Sequence, residues 1–172
     1  MEHKQQPHIV LVGFMGTGKS TIGELLAKRL GCDVIGIDEE IERRAGKRIP
    51  EIFASKGETA FREGETEALR DALQSNHRRV ISTGGGAVLA ERNRELMITH
   101  GLVIALKADA EQIIARVSKD SSRPLLQGDV SERVHKLLED RKYAYDFAHK
   151  TIDTTQLSVD DVVDQIWNYI HH

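Results

Sequence analysis

The chain alternates between short unbroken apolar runs and longer stretches in which apolar residues recur every three or four positions. The first run, HIVLVG at 8–13, lacks the polar alternation of a half-exposed strand and predicts a strand buried on both faces, as in a parallel sheet. A glycine-rich turn follows. Ile22, Leu25, Leu26 and Leu30 then predict a helix over 19–30, with Gly31 placed to end it. CDVIGI, at 32–37, predicts the next strand, and two short helical pieces over 39–45 and 50–55 are punctuated by Gly46 and Gly57. A longer helix is expected over 58–74. RRVIST, at 78–83, predicts a third strand that empties into Gly84-Gly85-Gly86. A helix over 91–99, the strand LVIAL at 102–106 and a helix over 109–117 continue the alternation. Residues 118–130 are polar, contain Pro124 and Gly128, and predict a mobile excursion. A helix over 131–149, a short strand TID and a last helix opened by Ser158, with Asp161 three residues on, complete the chain.

This alternation predicts an α/β fold: a parallel sheet with helices on both faces, in three layers. No repeat or linker divides the 172 residues, so they read as a single domain with a core of its own. In such folds ligands gather at the carboxyl ends of the strands. The formal charge of −3 gives no reason to expect a nucleic-acid or membrane surface, and no apolar run is long enough to span a bilayer. The polar start MEHKQQPH is unlike a secretory signal. The single cysteine, Cys32, excludes an internal disulfide, fits a reducing cytosol and reads as a small packing residue rather than a nucleophile.

Residues 13–20, GFMGTGKS, fit the phosphate-binding pattern G-x-x-x-x-G-K-[ST] at every fixed position. Glycines let successive backbone N–H groups turn towards phosphate oxygens, and the following helix adds its N-terminal dipole. Lys19 supplies charge for the outer phosphates and Ser20 a hydroxyl for Mg²⁺. The motif predicts a nucleoside triphosphate site without naming the phosphoryl acceptor.

Arginines in apolar stripes give the acceptor clue. Arg141 falls among Val134, Leu137, Leu138, Tyr145 and Ala148, and a guanidinium facing inward needs an anion. An internal ion pair or a snorkelling side chain also accounts for it. Arg62 and Glu65 lie beside the apolar face of Phe61, Ala68, Leu69 and Ala72, spaced so that Glu65 could hold Arg62. Two arginines from separate helices, with the open N–H groups of Gly84-Gly85-Gly86, describe a pocket for a small anion. Arg123, in the polar excursion, is a third candidate for charge on a transferring phosphoryl. Asp38, first acid after the second strand, reads as either a helix cap or an acceptor-orienting carboxylate.

These motifs, with Ile49-Pro-Glu-Ile-Phe and Arg123-Pro-Leu-Leu, occur in an order that resembles the shikimate kinases over about residues 9–155. The resemblance implies a P-loop, nucleoside-monophosphate-kinase-like fold with a substrate-binding segment near 37–65 and a mobile lid near 118–130. It implies ATP- and Mg²⁺-dependent phosphorylation of the shikimate 3-hydroxyl, on the route to chorismate; a cytoplasmic location and a monomer are expected. Gly16, Thr17, Gly18, Lys19, Ser20 and Thr21 would hold the phosphates, with Ser20 on the metal. Arg116 and Gln156 would neighbour the base, although the loop around Thr155 and Gln156 lacks the commoner arginine. Arg62, Arg141 and the triplet Gly84, Gly85 and Gly86 would hold shikimate, and Glu65 would orient Arg62. Lys19, Asp38 and Arg123 would be the catalytic side chains. The family usually carries Asp-x-Asp at the end of the second strand. This chain has Gly36-Ile37-Asp38, leaving one carboxylate fewer to organise Mg²⁺. A kinase for quinate or gluconate, or a nucleotide-binding regulator, remains an open alternative at this point.

Overall fold

The computed structural model describes residues 6–118 and 129–172. Five parallel strands form one sheet: β1 (His8–Gly13), β2 (Asp33–Gly36), β3 (Arg79–Ser82), β4 (Gly101–Lys107) and β5 (Lys150–Asp153), in the order β2-β3-β1-β4-β5. Seven α-helices connect and cover it among the described residues: α1 (Lys19–Leu30), α2 (Ile37–Ala45), α3 (Ile49–Leu73), α4 (Glu91–His100), α5 (Ala110–Val117), α6 (Val130–Asp140) and α7 (Val159–His171).

Strand β1 is central, and its unbroken apolar run serves two cores. Val10 and Val12 face one layer with Ile81, Val103, Phe61 and Leu69, while Ile9 and Leu11 face the other with Ile22, Leu26, Ile104 and Ile166. Successive strand side chains point to opposite faces, so a strand with helices on both sides must be apolar at every position. Each such aliphatic side chain, fully buried, contributes about 1.5–3 kcal/mol. A third cluster, with Phe14, Met15, Ile113, Val117 and Val134, packs α5 and α6 over the end of β1. Leu25, expected on the buried stripe of α1, is exposed.

Local punctuation follows the sequence closely. Gly31 ends α1 and Gly46 ends α2 in the left-handed conformation. Gly57 breaks α3 with φ 83° and ψ 173°, so the two expected helices run on from one another across a kink. Ser158 and Asp161 form the reciprocal cap of α7.

One expected element is different. The helix predicted over 131–149 ends at Asp140, and residues 141–147 form successive tight turns. No glycine or proline stops it. Leu137 and Leu138 pack with the α5 cluster, whereas Phe147 and Ala148 pack with the core under α3 and α4. Tyr145, within the turns, packs against both. The turns also bring His149 to β4, where its N–H donates to Val103 O (2.9 Å) and its Nδ1 accepts from Val103 N (2.9 Å). Arg141 is therefore a helix cap rather than a mid-helix residue.

Candidate functional site

Two pockets open at the carboxyl ends of the strands. The first is the phosphate cradle. Gly13 begins it at φ 147°, where a Cβ would lie 2.2 Å from Leu106 O, so no side chain fits between β1 and β4 there. Thr17 Oγ1 donates to Phe14 O (2.8 Å), closing the loop on itself. Lys19 Nζ donates to Gly13 O (2.7 Å) and Phe14 O (2.9 Å), which holds its charge within the loop. Gly16, Thr17, Gly18, Lys19, Ser20 and Thr21 all line this pocket, as does Arg116, whose Nη1 donates to Gly16 O (2.6 Å). Val117, Thr154, Leu157, Val159 and Val162 add a largely apolar wall. Gln156 is not among the lining residues; it faces a neighbouring groove with Asp109, Lys150 and Thr155. Arg123 and residues 119–128 of the expected lid lie outside the described residues.

The second pocket gathers Asp38, Arg62, Glu65, Gly84, Gly85, Gly86 and Arg141 from four separate parts of the chain. Its construction depends on the three glycines. A Cβ at Gly84 would lie 2.8 Å from Asp38 Oδ1, one at Gly85 3.4 Å from Arg141 Nη1, and one at Gly86 2.6 Å from Arg62 Nη2. Gly84 and Gly86 thus make room for Asp38 and Arg62, while Gly85 lies at contact distance from Arg141 and from Met15 N. Ser20, Asp38, Gly84 and Gly85 line both pockets, forming the wall they share.

Arg62 is held on several sides. Its Nη1 donates to Glu65 Oε1 (3.0 Å), and its guanidinium lies 5.2 Å from the Phe61 ring centroid. Glu65 is 1 % exposed, and burial pushes its carboxyl above the usual range, opposed by the neighbouring Arg62. Arg141 is 6 % exposed, and its Nη1 meets no hydrogen-bond acceptor among the described residues. A buried guanidinium donor of this kind suits an anionic ligand. Tyr145 donates its hydroxyl to Gly85 O (2.8 Å), fixing the turn, and burial pushes that phenol above its ordinary value.

Several lining residues carry no obvious signal in the sequence. Arg48 and Glu42 join the pocket at the α2–α3 connection, where Glu42 Oε2 accepts from Ile49 N (3.0 Å). Glu39 is the most informative. Its carboxylate folds back over Gly36, with Oε2 1.6 Å from where a Cβ would stand, so the space of a side chain at 36 holds the carboxylate of 39.

Comparison with known proteins decides among the kinases of this fold. A sequence model of the shikimate kinase family matches residues 15–171. The chain belongs to the shikimate kinase family. A shikimate kinase of Geobacter sulfurreducens is 48 % identical over 164 residues, covering 95 % of this chain and 90 % of that protein. One from Pelotomaculum thermopropionicum is 43 % identical, covering 95 % of each. The solved shikimate kinase from Acinetobacter baumannii, in complex with shikimate, superposes with a TM-score of 0.92 at 38 % identity, covering 98 % of this chain and 94 % of that one. A gluconokinase from Sinorhizobium meliloti, at 17 % identity and a TM-score of 0.61, shares the fold alone. The three-layer α/β, P-loop architecture expected from the sequence is that of the shikimate kinase family, whose members are ATP-dependent phosphotransferases.

The donors present fit the nucleotide and a hard divalent cation. The cradle offers backbone N–H groups, Lys19 and the N-terminus of α1 to phosphate. The hydroxyl of Ser20 and the carboxylate of Asp38 lie on the shared wall. No group of three or more His, Cys, Asp or Glu capable of holding a metal occurs among the described residues. Mg²⁺ keeps much of its water and takes phosphate oxygens with one or two protein ligands, which a hydroxyl and a carboxylate on one wall can supply. Among the same residues no helix is long and apolar enough to cross a membrane.

Proposed function

We propose that this chain transfers the terminal phosphoryl group of ATP to the 3-hydroxyl of shikimate, giving shikimate 3-phosphate and ADP. The observation that carries this reading is the second pocket, in which two arginines, a carboxylate and a glycine turn meet beside the phosphate cradle. Arg62 and Arg141 bind the acceptor carboxylate, since guanidinium groups match a carboxylate with two parallel hydrogen bonds. Gly84, Gly85 and Gly86 receive its hydroxyls. Asp38, on the shared wall, orients the reacting hydroxyl towards the γ-phosphate.

The bond from the acceptor oxygen to phosphorus forms as the bridging P–O bond breaks. ADP leaves with that electron pair, and the hydroxyl proton passes to an Asp38 oxygen. Little covalent work falls to the protein, so positioning and electrostatics carry the rate. Gly16 to Thr21 hold the phosphates, Lys19 neutralises charge on the outer ones, and Arg116 borders the nucleotide pocket. We assign Arg123 to the transferring phosphoryl and Gln156 to the edge of the base site, both on the resemblance alone. Ser20 would hold Mg²⁺, which would spread the phosphate charge. We also propose a cytoplasmic monomer.

A coupled ADP-release assay with shikimate, quinate and gluconate tests the acceptor. Shikimate should give by far the highest kcat/KM. Equal or better turnover of either rival would overturn the assignment.

A further inference from the structure

We propose that Thr66 and Asn93 form a positioning device for the acceptor: a buried polar tie that sets the distance between the helix carrying Arg62 and the glycine turn against which its guanidinium lies. The inference rests on the acceptor reading above and adds to it the means by which one arm of the arginine pair is held.

Asn93, in the first turn of α4, is 1 % exposed, and Thr66, on α3, is 3 % exposed. Asn93 Nδ2 donates to Ala87 O (2.9 Å). A carbonyl only accepts, so this contact fixes which way the amide faces and turns Oδ1 towards Thr66. Thr66 Oγ1 lies 2.8 Å from Asn93 Oδ1 and 3.1 Å from Arg62 O. Its single proton goes to the shorter contact. The tie therefore runs from α3 through Asn93 to Ala87, the residue directly after Gly86. Thr66 stands one helical turn after Arg62 and next to Glu65.

The gap spanned by this tie has little slack. A Cβ at Gly86 would lie 2.6 Å from Arg62 Nη2, so the guanidinium sits directly on the backbone of the turn. If α3 moved towards the turn, Arg62 would be displaced; if it moved away, the guanidinium would lose its support. Neither Thr66 nor Asn93 lines either pocket, so neither reaches a ligand. An apolar pair of the same shape would pack here at little cost to stability. A satisfied polar pair adds what an apolar one lacks, a single preferred separation and register.

Thr66→Val and Asn93→Ala break the tie from opposite ends, and Thr66→Ser retains the hydroxyl. Displacing a binding group by about 1 Å costs up to roughly 10²-fold, so both breaking variants should raise the KM for shikimate about tenfold or more. The KM for ATP should stay within about twofold, and Thr66→Ser should resemble the parent. In an Arg62→Ala background Thr66→Val should add nothing further, because the two changes remove one interaction. Side-chain ¹⁵N spectra of the ligand-free protein read Arg62 independently of any acceptor; its guanidinium signal should broaden in Thr66→Val and stay sharp in Thr66→Ser. An unchanged Arg62 signal, equal rises in both KM values, or additivity with Arg62→Ala would overturn the proposal. Absence of shikimate-dependent turnover in the parent, with the Arg62 signal behaving as expected, would instead sink the acceptor reading and leave the tie standing.

Discussion

The two pockets are neighbours built on opposite plans. The phosphate cradle is made from nine consecutive residues, 13–21, and mostly from their backbone. The acceptor pocket draws Asp38 from the start of α2, Arg62 and Glu65 from α3, the glycine turn after β3, and Arg141 from the end of α6. A backbone cradle takes its phosphate-facing groups from one local stretch, although β4, α5 and α6 brace it, and its chemistry is generic to phosphate. A pocket of side chains brought from distant elements depends on tertiary packing, and its arrangement can distinguish one acceptor from another. The generic half of the site is thus local, and the selective half is assembled.

Substitutions should separate the halves. The largest effect belongs to the shared wall: Asp38→Ala should lower kcat by on the order of 10²–10⁴-fold, the usual range for removing a general base. Calorimetric ATP affinity should stay nearly unchanged, and near-parental turnover would remove Asp38 from the mechanism. Next, Arg141→Lys keeps the charge but loses the planar fork. A charge-assisted hydrogen bond contributes about 1.5–3 kcal/mol, so the KM for shikimate should rise roughly 10- to 100-fold with the KM for ATP unmoved. A matching rise for ATP would mean the halves are not separable in this way.

A smaller effect comes from pH. Burial raises the Glu65 carboxyl, so on acidification it takes a proton earlier than an ordinary glutamate and loosens its hold on Arg62. The KM for shikimate should therefore climb at pH values still above the usual glutamate range, and Glu65→Gln should flatten that acid limb. The sign for stability is opposite to that of a salt-bridged acid with a depressed pKa. Because the folded-state value is raised, the folded protein binds the proton more readily, and this group's contribution falls as pH rises from the ordinary value through the raised one. Melting temperatures of the parent and Glu65→Gln across that window measure it.

The smallest change is expected at Gly36. Its sequence alone suggests that Gly36→Asp would restore a missing carboxylate and tighten apparent Mg²⁺ affinity. With the Glu39 carboxylate already over Gly36, the new aspartate would displace it and leave the local charge nearly the same. Apparent Mg²⁺ affinity should shift by no more than about threefold, given how much water that ion retains. In a Glu39→Gln background the same substitution should have a larger, favourable effect. Tight gain in the parent protein would show that Glu39 does not act in that space.

How much of this was legible differed between the halves for the same reason. The strands, the Gly57 break and the Ser158 cap follow from periodicity and punctuation, and so does the cradle. Arg62 and Glu65 could be paired because helical spacing alone brings them together. Arg141 stands out as a charge among apolar residues, yet its surroundings do not: the helix ends at Asp140 with no glycine or proline to mark the stop, and the turns that follow carry Phe147 to another core. Thr66 and Asn93 lie 27 positions apart and look like ordinary polar residues; only packing of α4 on α3 pairs them. Gln156 is assigned beside the base on the resemblance alone; it lines a groove next to the nucleotide pocket, with Leu157 common to both.

The exchange between Gly36 and Glu39 bears on how relatives of this chain are compared. Set against the Asp-x-Asp pattern that the resemblance implies, the chain has Gly36 where an acid is expected at the end of its second strand. Counted by location in space, the acid is still there, delivered from one helical turn later. A glycine at this column should send the reader three residues on before the protein is scored as impaired.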